Sequence, residues 1–335
     1  MKSSTKKSTQ IEYIARFTSF HSMLKALPDD QACREYLEEM RWKGIPTCTS
    51  CGSINKDHYK LKVKGEFKGM YKCKDCKQRF TVTLKTMFEG SHIPLRKWFI
   101  GMYVFSAHKK GISSHQLGRD LEMTQTSAWF MLNRIRNTYY KDQNIPIDGA
   151  FSVDESYIGG KSKNKHLSKR IGNTQGRSLK DKVPVFGIKQ VGGDVRTVVV
   201  PDTKAKTLKP IIKAMIKQDS IVITDEWVSY NGLSKNYKHV VVNHQGNEYV
   251  RGGFDTNGIE NFWGVLKRGL YGIYHHVSKD HLHRYLTEFE FRYNSRQLKD
   301  YERFNLSLCN VERKLTYKEL IQEGAKRKQK RGKTK

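Results

Sequence analysis

Four cysteines stand in two pairs, Cys48-x2-Cys51 and Cys73-x2-Cys76, with 21 residues between the pairs. Each pair puts two thiolates on one tight turn, and two such turns complete a four-sulfur shell suited to Zn2+. Four protein ligands close the shell, so no position remains for a substrate and the predicted role is structural. The metal would fold a small ribbon whose own core is too thin. Gly52 follows the second cysteine, where such a turn often needs left-handed backbone. His58 is a rival ligand that the set does not require, and Cys33 and Cys309 read as buried free thiols.

A second candidate set is built on oxygen. "FSVDESYIGGK" (151–161) carries a strand-like segment into Asp154 and Glu155, and "SIVITDEW" (220–227) repeats the doublet at Asp225 and Glu226. "NGIENFWGVLKRGL" (257–270) places Glu260 in the first turns of a helix. Converging carboxylates repel one another, and a divalent cation relieves this; Mg2+ prefers oxygen ligands. Two such ions about 3.5–4 Å apart can activate a water or 3′-OH and stabilise the leaving oxygen of a phosphoryl displacement. Taken singly, each acid reads better as a surface charge or a cap. Strand alternation separates Phe151, Val153 and Glu155 from Ser152, Asp154 and Ser156, but it does not say which face holds a site. The choice within each doublet therefore stays open at this level.

These residues need elements to position them. Residues 10–42 read as helix broken at Pro28, with Asp29 or Asp30 capping the second part. The cysteine region reads as short strands and turns. Residues 113–121 and 125–140 read as two helices about a short turn, capped by Ser113 or Ser114 and by Thr124. This is the spacing of a helix-turn-helix, equally the spacing of a plain helical hairpin. Its second helix is expected to present Gln125, Thr126, Asn133, Arg134 and Arg136 outward, toward base edges and phosphates. Beyond a linker at 144–149, strands and helices alternate as in an α/β domain with a mixed sheet. A helix over 207–218 must carry Pro210 in its first turn. In 257–270, Ile259, Phe262, Trp263 and Leu266 recur as a core face, beside a stripe of Asn257, Glu260, Gly264 and Lys267.

Charge indicates the partner. The chain has 335 residues and a formal net charge of +29. The first 150 residues carry 26 basic and 14 acidic side chains, and the rest carry 36 and 19. A positive excess on both parts points to a long polyanion contacted along its length, most simply nucleic acid. The ribbon lysines, Lys161, Lys163, Lys165, Lys267 and Arg268 are candidate DNA contacts, as is the basic tail after residue 324. The N-terminus lacks the apolar stretch of a signal peptide, and no apolar run approaches the ~20 residues of a membrane helix. The expected place is a reducing cytoplasm, on the nucleoid.

In combination, "CTSCG", "YKCKDCKQRFTVTLKTMFEGSHIPLRKWF", "VDESYIGGK", "TDEW", "NGIENFWGVLKRGLYGIYHHVS" and "HLHRYLTEFEFRYNSR" resemble a known group. They are similar to bacterial insertion-sequence transposases with an N-terminal zinc ribbon and a DDE domain of RNase H-like fold (ISXO-like, Merlin-related). The resemblance covers about residues 30–296. It implies binding to terminal inverted repeats, then metal-dependent cleavage and strand transfer by a homo-oligomer on DNA. By motif, Asp154, Asp225 and Glu260 match the three acids, holding two Mg2+ or Mn2+ ions, and the cysteines match the zinc ligands. Glu155 and Glu226 are left as supporting or capping groups. In this family the lysine-rich segment 161–182 falls where a DNA-facing insertion would.

The expected organisation is a helical segment (1–42), a zinc ribbon (43–90), a helical DNA-binding region (91–145), an RNase H-like catalytic domain (150–296) and a helical, basic C-terminal segment (297–335). Two competing readings remain. One is a zinc-ribbon and helix-turn-helix regulator with an inactive transposase-derived domain. The other is a nuclease of the same fold that only hydrolyses. His275 and His276 read as packed or solvated rather than as site residues.

Overall fold

The computed structural model describes residues 17–140, 145–160, 166–170, 178–243 and 250–322. The chain forms two units, one from Met1–Tyr139 with Gln297–Lys335 and the other from Tyr140–Arg296.

In the first unit, Pro28 separates α1 (Phe20–Ala26) from α2 (Asp30–Trp42). Asp29 caps α2, its carboxylate accepting from the Ala32 N–H at 2.8 Å. A three-stranded antiparallel sheet follows: β1 (Tyr59–Val63), β2 (Glu66–Lys72) and β3 (Arg79–Phe80). Lys64 and Gly65 join β1 to β2 with φ of +53° and +84°. A two-residue hairpin turn with both φ positive matches the twist of its strands. Then come α3 (Leu95–Ala107), α4 (Ser114–Asp120) and α5 (Gln125–Thr138). Ser113 and Thr124 cap α4 and α5, accepting from the N–H of Gln116 and Ser127. The helix Asp300–Leu308 belongs to this unit too. Its Phe304 ring lies 5.6 Å from Phe99, and Asn305 accepts from the Tyr36 hydroxyl at 2.7 Å. The C-terminal segment thus completes the N-terminal core.

The second unit is a mixed five-stranded sheet in the order β6-β5-β4-β7-β8. β4 (Ala150–Ile158), β5 (Val183–Gln190) and β6 (Val195–Val199) run antiparallel. α6 (Ala205–Met215) then leads to β7 (Ile221–Thr224) and β8 (Lys238–Val241), and β4, β7 and β8 are mutually parallel. α6 begins at Ala205, so Pro210 sits inside the helix rather than in its first turn. A short hairpin, β9 (Val250–Arg251) and β10 (Phe254–Asp255), precedes α7 (Asn257–Gly269) and α8 (Leu282–Asn294).

Strand alternation gives the sheet two cores. Phe151, Val153, Phe186 and Ile188 pack with Leu208 and Ile212 of α6 on one face. Ile158, Val185 and Val195 pack with Ile259, Phe262, Trp263 and Leu266 of α7 and with α8 on the other. Each fully buried side chain of this size contributes roughly 1.5–3 kcal/mol, so α7 is held firmly by its apolar face. A mixed sheet with helices on both faces is the RNase H-like arrangement expected from the resemblance.

Candidate active site and zinc centre

The zinc centre is assembled locally. Sγ of Cys48 lies 3.7 Å from Sγ of Cys76, and Sγ of Cys51 lies 3.7 Å from Sγ of Cys73. All four sulfurs fall within 4.8 Å of one another. With Zn–S bonds of ~2.3 Å a tetrahedron has an edge of about 3.8 Å, so the cluster fits one Zn2+. The two knuckles share a backbone plan: Gly52 and Lys77, each following a second cysteine, have φ of +76° and +61°. The thiols are electrically unequal. Burial opposes the Cys48 thiolate, but the Cys51 and Ser50 N–H groups and neighbouring thiols outweigh it and bring Cys48 down to about 7. The Gln78 N–H favours a thiolate at Cys76, yet burial and the other three sulfurs push it up to about 12. A doubly charged cation removes this conflict. His58 is not a ligand: its Nδ1 accepts from the Lys74 N–H and its Nε2 faces the Ser53 carbonyl, tying the knuckles together. Of the two cysteines outside the cluster, Cys33 is buried as expected, whereas Cys309 is exposed.

The acids come from three separate elements of the second unit. Asp154 lies on β4 on the α7 face. Ser152 pairs with Ile223 in the parallel β4–β7 register, so Asp225, two residues on, comes level with Asp154. Asp225 follows the end of β7, and its Oδ1 accepts from the Trp227 N–H at 3.1 Å. Glu260 stands in the first turn of α7, accepting from the Thr256 hydroxyl at 2.8 Å. Burial, then the charges of Asp225 and Glu260, push the Asp154 carboxyl up to about 6, although N–H groups of Glu155 and Trp263 favour its charged form. Among the described residues, the cysteines alone meet the mutual 4.8 Å spacing of a ready ligand cluster. The acids are spread more widely but are close enough to repel. An all-oxygen donor set with converging negative charge fits a hard divalent cation.

Side chains around Asp154 take on contacts that pattern reading did not supply. The buried Trp263 indole N–H donates to Asp154 Oδ2 at 3.0 Å. Lys267, one turn further along α7, feels the same carboxylate: burial pushes its ammonium pKa down, Asp154 opposes that, and Lys182 adds to it. Glu155 points away to the opposite face, where it accepts from the buried Tyr230 hydroxyl. Burial, then Glu155, raises the Tyr230 phenol well above its ordinary range. The sequence signal for Trp263 was there to use, since a buried indole N–H usually finds a partner.

The helical pair of the first unit presents a smaller surface than expected. Gln125 and Thr126 are exposed at the start of α5, but Asn133, Arg134 and Arg136 are buried, the arginines to 4% and 1%. Arg134 lies over the rings of Trp98 and Phe130 at 5.5 and 5.4 Å and donates to the Glu89 carbonyl at 2.8 Å. Arg136 lies over Phe105 at 5.6 Å. Helical spacing assumes one buried face, whereas residues 131–136 of α5 are enclosed on every side. These three are therefore withdrawn as DNA contacts. Arg268 is exposed and Lys267 half-buried. Lys161, Lys163, Lys165 and the basic tail lie outside the described residues. The eight ribbon lysines, from Lys56 to Lys77, are exposed. Among the described residues, no helix is long and apolar enough to cross a membrane.

Comparison with known proteins finds two matching families and two relatives. Residues 146–294 match the ISXO2-like transposase domain family, and residues 28–79 match the transposase zinc-ribbon domain family. An uncharacterized protein in transposable element ISH50 of Halobacterium salinarum is 26% identical over 281 residues, covering 80% of this chain and 92% of that protein. An uncharacterized transposase-like protein of Haemophilus influenzae is 40% identical over 106 residues, covering 31% of this chain and 85% of that protein.

Proposed function

The chain belongs to the ISXO2-like transposases, and from that premise we propose that it binds the terminal inverted repeats of an insertion sequence and cleaves and joins DNA strands there. Asp154, Asp225 and Glu260 hold divalent metal, Mg2+ or Mn2+, and the four cysteines hold structural zinc. One observation supports this above the rest: three acids come from β4, the level end of β7 and the first turn of α7, where burial first, then Asp225 and Glu260, raises Asp154. A surface cap or a solvated charge would not be under that stress. Bound divalent ions supply Lewis acidity for the attacking and leaving oxygens of phosphoryl displacement. The chain supplies the frame. The paired strands align Asp154 with Asp225, and the apolar face of α7 fixes Glu260 over them. Lys267 adds a positive charge beside Asp154, where a phosphate must approach.

DNA is engaged through exposed cations and polar groups: the ribbon lysines, Gln125 and Thr126 at the start of α5, and Arg268 of α7. Phosphate contacts by lysine and arginine give affinity and salt dependence, while the α5 start carries what base readout there is. The test is Mg2+-dependent nicking of a duplex bearing the element's own end. Asp154→Asn, Asp225→Asn and Glu260→Gln should each reduce cleavage to background and leave binding of that duplex unchanged. Normal cleavage by any one variant removes that residue from the site. Binding without cleavage by the parent protein would favour the regulator.

A further inference from the structure

We propose that Trp263 is a positioning residue for Asp154, and that Gly187 is the residue that makes its position available. The inference rests on the reading of Asp154 as a metal ligand. It starts from three observations. Trp263 Nε1 donates to Asp154 Oδ2 at 3.0 Å. Gly187 on β5 is the register partner of Asp154 on β4. A Cβ built on Gly187 would stand 2.6 Å from Trp263 Cζ2 and 2.8 Å from Cη2. No real Cβ sits so close to a ring carbon, so any side chain at 187 displaces the indole. The strand beside Asp154 is thus bare where the ring must pass to reach the carboxylate.

This arrangement does something that packing alone does not require. A carboxylate at a strand centre can turn about its Cβ–Cγ bond. A donor fixed to Oδ2 opposes that turn, beside the Glu155 N–H that the carboxyl also accepts. The indole is itself immobile, since Trp263 is 4% exposed within the α7 core and its ring stands 5.2 Å from Phe262. Groups that orient a ligand carboxylate typically matter 10–100-fold in metal affinity or activity. Trp263 therefore serves two ends of one helix face: it anchors α7 to the sheet and sets the angle of an acid that α7 does not carry.

The experiment uses the full chain with zinc retained. Indole N–H signals are recorded for the parent, Trp263→Phe and Asp154→Ala; the chain has five tryptophans. The signal missing in Trp263→Phe should shift in Asp154→Ala, and an unmoved signal overturns the hydrogen bond. End cleavage is then titrated with Mn2+. Trp263→Phe keeps a ring in the core but loses the N–H, and should raise the half-saturating Mn2+ concentration at least about tenfold. A role in packing alone would lower the active fraction without moving that concentration, so a value within twofold of the parent overturns the proposal. Gly187→Ala keeps the indole but pushes it aside, and should raise the concentration in the same direction. It carries the titration if Trp263→Phe fails to fold. Full cleavage by Asp154→Ala would instead sink the metal-ligand reading itself, which keeps the two failures apart.

Discussion

The four cysteines come from two turns of one small ribbon, 28 positions apart at their extremes, whereas the three acids come from a strand, the residue after another strand, and a helix. The first centre is closed by its own sequence neighbourhood. Each knuckle builds itself through short backbone bonds such as Gly52 N–H to the Cys48 carbonyl at 2.9 Å, and His58 ties one knuckle to the other. The second centre exists only once the sheet has paired and α7 has docked. Before that, Asp154, Asp225 and Glu260 are unrelated surface acids. A local site can be stable because its metal is the fold's main support. A site made from distant acids costs its fold stability until the metal arrives.

The largest expected effect breaks the comparison at the ribbon. Cys48→Ser, or removal of zinc by a chelator, should unfold residues 43–90, because structural zinc in small domains is worth about 10–16 kcal/mol of apparent binding energy. Hydrogen exchange followed by mass spectrometry checks this: ribbon amides should exchange freely while β4, β5 and β7 keep their protection. Equal loss of protection in both units would mean that the ribbon is not an independent closed site. DNA affinity should fall with it, since the ribbon carries eight exposed lysines; unchanged affinity would make the ribbon a spacer.

The next effect is the cost of the acids without metal. The Asp154 carboxyl goes from 3.8 to about 6 in the folded chain, burial being the first cause. A folded state that holds this proton more tightly gains stability below pH ~4 and loses it as pH rises through about 6. Raising a carboxyl that far costs the fold about 2–3 kcal/mol at pH 7. In metal-free protein, Asp154→Asn should therefore be more stable than the parent at pH 7, and the advantage should vanish near pH 4. Urea unfolding of the second unit across that range checks it. No change in the difference with pH would mean that the Asp154 carboxyl is not raised in the folded chain.

The same division explains what could be read ahead of the structure. The zinc set follows from two spacings, and the cap at Thr124 and the cap pairs Asp29/Asp30 and Ser113/Ser114 follow from residue type beside a helix start. That Asp154 and Glu155 diverge follows from alternation in 151–156. What did not follow was anything decided by a distant partner. Helical spacing sent Arg134 and Arg136 outward, and the rings of Trp98, Phe130 and Phe105 took them in. Trp263 was read only as core, because its acceptor lies 109 positions away and its space is cleared by Gly187 on a third element. The choice between Asp154 and Glu155 was open for that reason too. Alternation said the two diverge, and only α7 and Tyr230 say where each one goes.

A smaller effect tests that lesson in the first unit. Arg134→Ala removes a guanidinium held by two rings and a carbonyl, and should destabilise the unit by about 1–3 kcal/mol. It should leave DNA affinity unchanged once the protein is folded. Thr126→Ala should do the opposite, weakening binding to the specific end with no change in melting temperature. Reversal of these two results would restore Arg134 as a DNA contact and remove the α5 start.

The smallest expected effect lies inside one doublet. Glu155 and Asp154 are sequence neighbours, yet strand alternation sends them to opposite faces of β4. Glu155 spends its charge on Tyr230, a phenol that burial and this carboxylate keep protonated and donating. Glutamine at 155 still offers an oxygen to that hydroxyl, so the bond survives in neutral form. A charge-assisted bond exceeds a neutral one by about 1 kcal/mol, and losing a half-buried negative charge recovers part of that. Glu155→Gln should therefore shift stability by no more than about 1 kcal/mol and leave Mg2+-dependent cleavage within a few-fold of the parent. Asp154→Asn, one residue away, should be inactive. If instead Glu155→Gln matched Asp154→Asn, the two faces of the strand would not be separate. The acid held by Tyr230 would then belong to the reacting site.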